Sequence, residues 1–492
     1  MRLSQLFPNR SFTTDPHVRG LCEDSRLAQP GDIFFAHLGK RADGIGYLND
    51  AIMKGCVAIV VPEGSSLPNI LPTLPVVFST DTRREISRVA AALYPQKPKT
   101  ILAVTGTSGK TSTTYFVQQI FNLCGVRAVS LGTIGIAGAV TREGSLTTPT
   151  APELHETLAF LHAQGVEVVA MEASSQALAQ SRMDHVHLTA AAFLNLSRDH
   201  LDYHETLDSY RAAKFRLFQE ILPVQGTAII NNNDKTARDL KETVHARGIK
   251  CLTYGSTESD FLLTAHQITS NGQQITFTHQ EKSYTVMLHV PGRFQVENML
   301  AAFGLSVAAG LGIDQILAVA PQIQAPPGRL QPITGHPQGA KIYVDYAHKP
   351  DALENVLREL KNQAPQKLIC VFGCGGDRDA GKRPLMGEIS ARYATHTIVT
   401  DDNPRTEDPA AIRAAIRAAC PDALDISDRR QAIRTALSMA GTDDIVLIAG
   451  KGHEQGQKFA THTDPFDDVI EAEKAIQSLI FSSSPLPLKV LP

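Results

Sequence analysis

The sequence predicts an α/β protein of three domains with a mostly parallel central sheet, and three observations carry that prediction. At 492 residues the chain is too long for one core, and about 150 residues per domain gives about three. Strand-length apolar runs ("VEVVAMEAS", "LTAAAFLNLS", "GTAIINNND") alternate with helical stretches, the mark of a parallel α/β sheet. In the last third a strand–loop–helix unit recurs in "KIYVDYAHKPDALENVLREL", "LICVFGCGGDRDAGKRPLM", "TIVTDDNPRTEDPAAIRAAI" and "DIVLIAGKGHEQG". Each polar loop there follows the C-terminal end of a strand, where open α/β sheets bind ligands.

Three blocks follow. Residues 1–97 mix short strand-like runs ("GDIFFAHL", "CVAIVVPE") with one helical segment and end in the breaker cluster "YPQKPKT". Residues 98–328 open on "ILAVTGTSGKTS" and carry the alternating runs, with an Asn-Gly hairpin turn expected at Asn271–Gly272. "APPGRL" (Ala325–Leu330) reads as a hinge into residues 329–492.

Hydrophobic residues make up 43% and charged residues 20%, as in ordinary globular enzymes. A net charge of −3 gives no electrostatic case for nucleic acid or an anionic membrane. No apolar run reaches the roughly 18 residues of a membrane span, and the start lacks a signal-peptide pattern. The seven cysteines form no CxxC pair, which fits a reducing cytoplasm; Cys370 and Cys374 flank an apolar run and read as buried thiols. A cytoplasmic monomer is expected.

The strongest local chemistry lies in "AVTGTSGKTS". An apolar strand runs into a glycine-rich loop and then a helix, the arrangement that phosphate binding needs. Backbone N–H groups of Gly106, Thr107, Ser108, Gly109 and Ser112 close on the anion at a helix N-terminus. Lys110 pairs with the β/γ-phosphates and Thr111 ligates Mg²⁺. Val104 stands where the usual pattern has its first glycine. Glu172 ends a buried run in "MEASSQ" and is placed to hold Mg²⁺ beside the phosphates, although strand-end glutamates more often cap or form salt bridges. His200, in "NLSRDHLDYH", offers the same choice. Lys214, in "SYRAAKFRLF", reads by default as a surface lysine covering apolar neighbours.

Ten motifs in order ("TGTSGKTS", "MEASS", "NLSRDHLDYH", "SYRAAKF", "GRFQVEN", "PPGR", "VDYAHKPD", "GCGGDRDAGKRPLM", "DDNPRTEDP", "AGKGHE") resemble the Mur ligase family over essentially the whole chain. "GTxGKT" is that family's own form of the loop, which accounts for Val104. The resemblance implies an N-terminal UDP-sugar domain, a central P-loop ATPase and a C-terminal Rossmann-like domain. It implies ATP-dependent addition of an amino acid, through an acyl phosphate, to UDP-N-acetylmuramoyl-L-alanyl-D-glutamate. Lys214 is then carbamylated and joins Thr111, Glu172 and His200 around Mg²⁺, with Lys110 as catalytic cation.

By the same resemblance Asn298, Arg329 and Asp345 contact the nucleotide. The UDP-sugar acceptor meets Glu23, Ser25, Lys40, Arg41, Ala42, Thr147, Thr148, Ser174, Gln180 and Arg182, with Glu23 expected to use its backbone. "DDNPR" implies meso-diaminopimelate as the added amino acid, bound by Arg378, Asp402, Asn403, Pro404, Arg405, Gly450 and Glu454. The guanidinium fork of Arg405 suits the distal carboxylate that L-lysine, the alternative, lacks. Read without the family, this loop is a Pro-Arg surface turn. A folylpolyglutamate synthetase and a non-catalytic nucleotide-binding regulator fit the residues less well.

Overall fold

The apolar run before the glycine-rich loop forms the strand Thr100–Thr105, buried from Ile101 onward. Parallel strands flank it on both sides, Val168–Glu172 and Ala190–Phe193. With helices covering its faces such a strand has no solvent side, so its sequence is continuously apolar rather than alternating. The computed structural model describes residues 1–38, 43–67, 74–144, 146–269, 272–363 and 366–483. It divides into two compact units. The first runs to Ile323, apart from short pieces around Gln273 and from His289 to Val296 that belong with the second, which continues from Gln324.

In the first unit Thr100–Thr105 lies inside a ten-stranded sheet. On one side of it stand Val168–Glu172, Ala128–Gly132 and Gly135–Gly138. On the other stand Ala190–Phe193, Thr227–Asn231, Lys250–Gly255, Phe261–Thr269, Gly272–His279 and Lys282–Leu288. The hairpin turn expected at Asn271 lies outside the described residues. Leu154, Leu158 and Leu161 recur at helical spacing on Ala151–Ala163 and pack with Ile101, Ala103, Phe215 and Phe218.

Residues 1–97 fall in this same unit but carry their own parallel sheet, Gly20–Cys22, Asp32–Phe35, Ala58–Pro62 and Val76–Ser79. Its alternation supplies two cores, Ile33, Phe35 and Val60 on one face and Phe34, Ile59 and Val61 on the other. The first and last of those strands, and the short helices Leu3–Leu6 and Leu48–Met53, were not among the expected elements. They are too short for a periodic signal.

The second unit holds a six-stranded sheet in the order Gln331–Ile333, Lys341–Asp345, Ile445–Ala449, Leu368–Phe372, His396–Val399, Leu424–Asp425. Only Gln331–Ile333 pairs antiparallel. Leu353, Leu357 and Met386 cover one face; Ile433, Leu437 and Ala472 cover the other. Cys370 and Cys374 are buried here, as expected, with burial raising their thiol pKa values to about 12 and about 11.

Candidate active site

The glycine-rich loop leaves the strand at Thr105 and enters the helix Lys110–Leu123 through Gly109. Gly109 has φ +90°, a left-handed conformation that a side chain would strain. A β-carbon there would also strike the amide oxygen of Asn298, so the loop and this expected nucleotide contact sit together. Asn195 pins the loop: its backbone oxygen accepts from Thr107 N at 3.0 Å and its side chain from Ser108 N at 2.9 Å. Lys110 Nζ donates to the carbonyl oxygens of Gly106 at 2.8 Å and Thr107 at 3.1 Å. Thr111 and Ser112 are buried at the first helical turn.

Glu172 ends its strand almost wholly buried, with 1% of its surface exposed. Oε1 accepts from Thr111 Oγ1 at 2.9 Å and from Thr133 N at 2.8 Å, and Oε2 accepts from Thr133 Oγ1 at 3.2 Å. Gly132 leaves room for this carboxylate, since a β-carbon there would collide with it. Thr111 and Glu172 are hard oxygen donors side by side, the chemistry that Mg²⁺ takes, so they fit that ion.

Lys214 is not on the surface, as the reading without the family had it. It is 1% exposed, and its Nζ donates to Gly106 O at 2.8 Å and lies 4.5 Å from the Tyr210 ring centroid. The helix Leu207–Arg216 turns this position inward, and its surface positions gave no hint of that. His200, in a left-handed conformation (φ +53°), begins the helix Leu201–His204, with Nε2 3.5 Å from Asp199 Oδ2. Among the described residues no group of three or more His, Cys, Asp or Glu is placed to hold a metal ion.

The expected acceptor residues form a chain of hydrogen bonds. Thr148 Oγ1 donates to Glu172 O at 2.7 Å and accepts from Ser174 N at 3.1 Å. Arg182 reaches Thr148 O at 2.8 Å and grips Gln180 Oε1 at 2.7 and 3.0 Å, while Gln180 donates to Tyr203 Oη at 2.9 Å. Thr147 lies 3.1 Å from Thr133 through their hydroxyls. Ser25 is buried at the start of a 3₁₀ turn. Glu23, expected to act through its backbone, places its carboxylate 3.2 Å from His37 Nε2. Burial opposes its charge, but the His37 hydrogen bond and the fields of His37, Arg182 and Arg83 hold its pKa below the ordinary value. Lys40, Arg41 and Ala42 lie outside the described residues.

The remaining site residues belong to the second unit. Asp345 ends the strand Lys341–Asp345 and accepts from Leu330 N at 2.7 Å and Ala347 N at 2.8 Å. Burial raises its pKa, against the field of Arg329 and these two N–H groups. The Arg329 guanidinium lies over the Tyr346 ring at 4.6 Å. The loop after His396–Val399 buries Asp402, Asn403 and Pro404. Arg405 is half-buried, has φ +52°, and donates Nη1 to Gly376 O at 2.6 Å. Arg378 is exposed on the neighbouring loop. Gly450, at φ +116°, gives Asp402 its space, for a β-carbon there would stand 2.8 Å from Asp402 Oδ2.

Sequence reasoning missed two residues. Thr133 cradles Glu172, and only the "LGTIG" turn after an apolar run could have drawn attention to it. Lys451 was passed over inside "AGKGHE", yet it is 0% exposed and bonded to Asn403.

Residues 104–306 match the Mur ligase middle domain and residues 328–452 the Mur ligase glutamate ligase domain. A UDP-N-acetylmuramoyl-L-alanyl-D-glutamate–2,6-diaminopimelate ligase of Chelativorans sp. (strain BNC1) is 44% identical over 95% of this chain and 96% of its own. Its namesake from Caulobacter vibrioides is 43% identical over 97% and 99%. A solved structure of a ligase of that name, 33% identical, superposes with a TM-score of 0.72 over 98% of this chain and 99% of its own. With this likeness running the full length of the chain, and the phosphate loop, buried glutamate and Asp-Asn-Pro-Arg loop in place, the protein belongs to the Mur ligase family.

Proposed function

We propose that this protein is the ATP-dependent ligase that joins meso-diaminopimelate to UDP-N-acetylmuramoyl-L-alanyl-D-glutamate in peptidoglycan synthesis. The observation that carries the reading is the buried Asp402–Asn403–Pro404 loop ending in Arg405, in a chain 44% identical to a ligase named for that UDP-dipeptide and 2,6-diaminopimelate. The γ-phosphoryl group of ATP passes to the D-glutamate side-chain carboxylate, giving an acyl phosphate and ADP. The amine of the incoming amino acid attacks that carbonyl carbon. The tetrahedral adduct expels phosphate, and the amine's proton leaves to solvent.

Phosphoryl transfer between anions is mainly charge neutralisation and positioning. Lys110 and the N–H groups of Gly106–Ser112 supply both. Thr111, Glu172, His200 and a carbamylated Lys214 would hold Mg²⁺, which neutralises phosphate charge when bound. Asn298, Arg329 and Asp345 take the nucleotide. Glu23, Ser25, Thr147, Thr148, Ser174, Gln180 and Arg182, with Lys40, Arg41 and Ala42, take the UDP-sugar acceptor. Arg378, Asp402, Asn403, Pro404, Arg405, Gly450 and Glu454 take diaminopimelate. The Asn403 side-chain oxygen already accepts two hydrogen bonds, so Asp402 and Glu454 are the better receivers of the distal ammonium.

L-Lysine is not favoured, because it offers Arg405 no distal carboxylate. Three domains, 1–97, 98–328 and 329–492, are proposed on the three separate main sheets. A cytoplasmic monomer accompanies the reading; among the described residues no helix is long and apolar enough to cross a membrane. The test is phosphate release with ATP, Mg²⁺ and the UDP-dipeptide, comparing meso-diaminopimelate with L-lysine. Release with diaminopimelate alone supports the reading, and release with neither overturns it.

A further inference from the structure

Lys451 follows the strand Ile445–Ala449 and none of its side chain reaches solvent. A buried ammonium is costly unless its donors are satisfied. Here Nζ donates to Asn403 Oδ1 at 2.8 Å and to Gly456 O at 2.7 Å, and lies 3.6 Å from Glu454 Oε2. Asn403 is a junction. Its Oδ1 also accepts from Lys458 N at 2.9 Å, its Nδ2 donates to Glu454 Oε2 at 2.8 Å, and its backbone oxygen accepts from Gly376 N at 2.9 Å. Arg405 leans on the same two residues: its N donates to Lys458 O at 3.0 Å and its Nη1 to Gly376 O at 2.6 Å.

We propose that Lys451 is a positioning residue for amino-acid selection, its buried ammonium locking Asn403 and thereby fixing Glu454 and Arg405 relative to each other. The inference rests on the function proposed above. A lysine suits the task because three donors on a point charge reach an amide oxygen, a backbone oxygen and a carboxylate from one position. Replacing it with an apolar side chain leaves Asn403 Oδ1 with one donor, from Lys458 N, and Glu454 without its nearby cation, so the Asn403 amide and the Glu454 carboxylate it binds are held less firmly. Burial pushes the Lys451 pKa down, while the negative charges of Asp402 and Glu454 act in the opposite sense.

The test is a double-mutant cycle on the full-length enzyme, with Lys451→Met, Asn403→Ala and both together. Phosphate release is measured while each substrate is varied in turn. Each single variant is expected to raise the KM for diaminopimelate by about tenfold or more, the loss of a hydrogen bond to a charged group. The KM values for ATP and the UDP-dipeptide should stay near wild type, and the preference for diaminopimelate over L-lysine should fall. Because the two residues act as one unit, the double variant is expected to be no worse than the worse single one. If the effects instead multiply, or all three KM values rise together, Lys451 does not act through Asn403 and the inference is wrong. Should Lys451→Met not fold, Lys451→Gln, which keeps a donor, carries the same cycle. A wild-type enzyme that releases no phosphate with diaminopimelate refutes the functional reading instead, a separate outcome.

Discussion

Replacing Arg405 tests the proposed specificity most directly. One of its nitrogens is already committed to Gly376 O at 2.6 Å, which fixes the guanidinium and leaves the other donors of the fork for a carboxylate. Two charge-assisted hydrogen bonds at about 1.5–3 kcal/mol each give about 3–6 kcal/mol, or about 10²–10⁴-fold in kcat/KM. Arg405→Ala should lose that amount with diaminopimelate, and Arg405→Lys, keeping the charge without the fork, about half of it in free energy. The φ of +52° supplies a control. Glycine adopts this conformation without the roughly 1 kcal/mol that other residues meet. Arg405→Gly should therefore unfold no more easily than Arg405→Ala while losing selectivity equally. The assay is phosphate release against diaminopimelate and L-lysine, beside thermal unfolding of each variant. An Arg405→Ala enzyme with unchanged diaminopimelate KM and unchanged preference over lysine refutes the reasoning.

Lys214→Ala should abolish phosphate release, and added acetate or formate should restore part of it; full activity without rescue would sink the carboxylate role. Gly132→Ala drives a β-carbon into the Glu172 carboxylate and should lower kcat/KM at least about 100-fold, from disrupted hydrogen bonds to a charged group. Circular dichroism would show its fold retained, and near-normal turnover would mean that Glu172 can move without consequence. His155 and His348 are buried, which lowers their pKa values to about 3 and about 4. Between those values and about 6.5 the unfolded chain binds the extra proton, so their stability contribution is present above pH 6.5 and lost as pH falls, at about 1.4 kcal/mol per pH unit per group. Urea unfolding of His155→Gln should show a shallower loss of stability from pH 6.5 to 4.5 than wild type; superimposable slopes would contradict this.

The sequence revealed what periodicity and glycine chemistry encode. Thr100–Thr105 and the loop into Lys110 were legible because a buried parallel strand must be apolar throughout and Gly109 must accept a positive φ. Glu172 was legible as a strand end, but its cradle was not, since Thr133 is 39 residues away in sequence and meets it only through adjacency of strands. Lys214 shows the limit most sharply. Its helix has no pronounced apolar stripe in its sequence, "LDSYRAAKFR", so without the family resemblance nothing marks the lysine as buried. Lys451 failed to stand out for the opposite reason: lysine between glycines in a loop reads as solvent-facing, and its burial becomes tolerable through Gly456 O and Glu454 nearby and Asn403, 48 residues upstream.

Lys110 and Lys214 each donate to the carbonyl oxygen of Gly106 at 2.8 Å. Two ammonium nitrogens on one oxygen stand less than about 6 Å apart, where like charges repel by about 3 kcal/mol at an effective dielectric near 20. That arrangement suits a site where phosphate gathers, because a polyanion between the two cations turns the repulsion into binding energy. It equally suits carbamylation. Once the Lys214 nitrogen has given up a proton, its lone pair can form an N–C bond to carbon dioxide; a second proton leaves to solvent, and a carboxylate replaces the positive charge, so the same pair attracts instead. The new oxygens would extend from the helix Leu207–Arg216 beyond the nitrogen, and they would be of the kind that Thr111 and Glu172 already present. The two outcomes differ in sign: a cationic Lys214 contributes most to nucleotide binding, and a carbamylated one to Mg²⁺ binding. Titrating Lys214→Ala with each separately tells them apart.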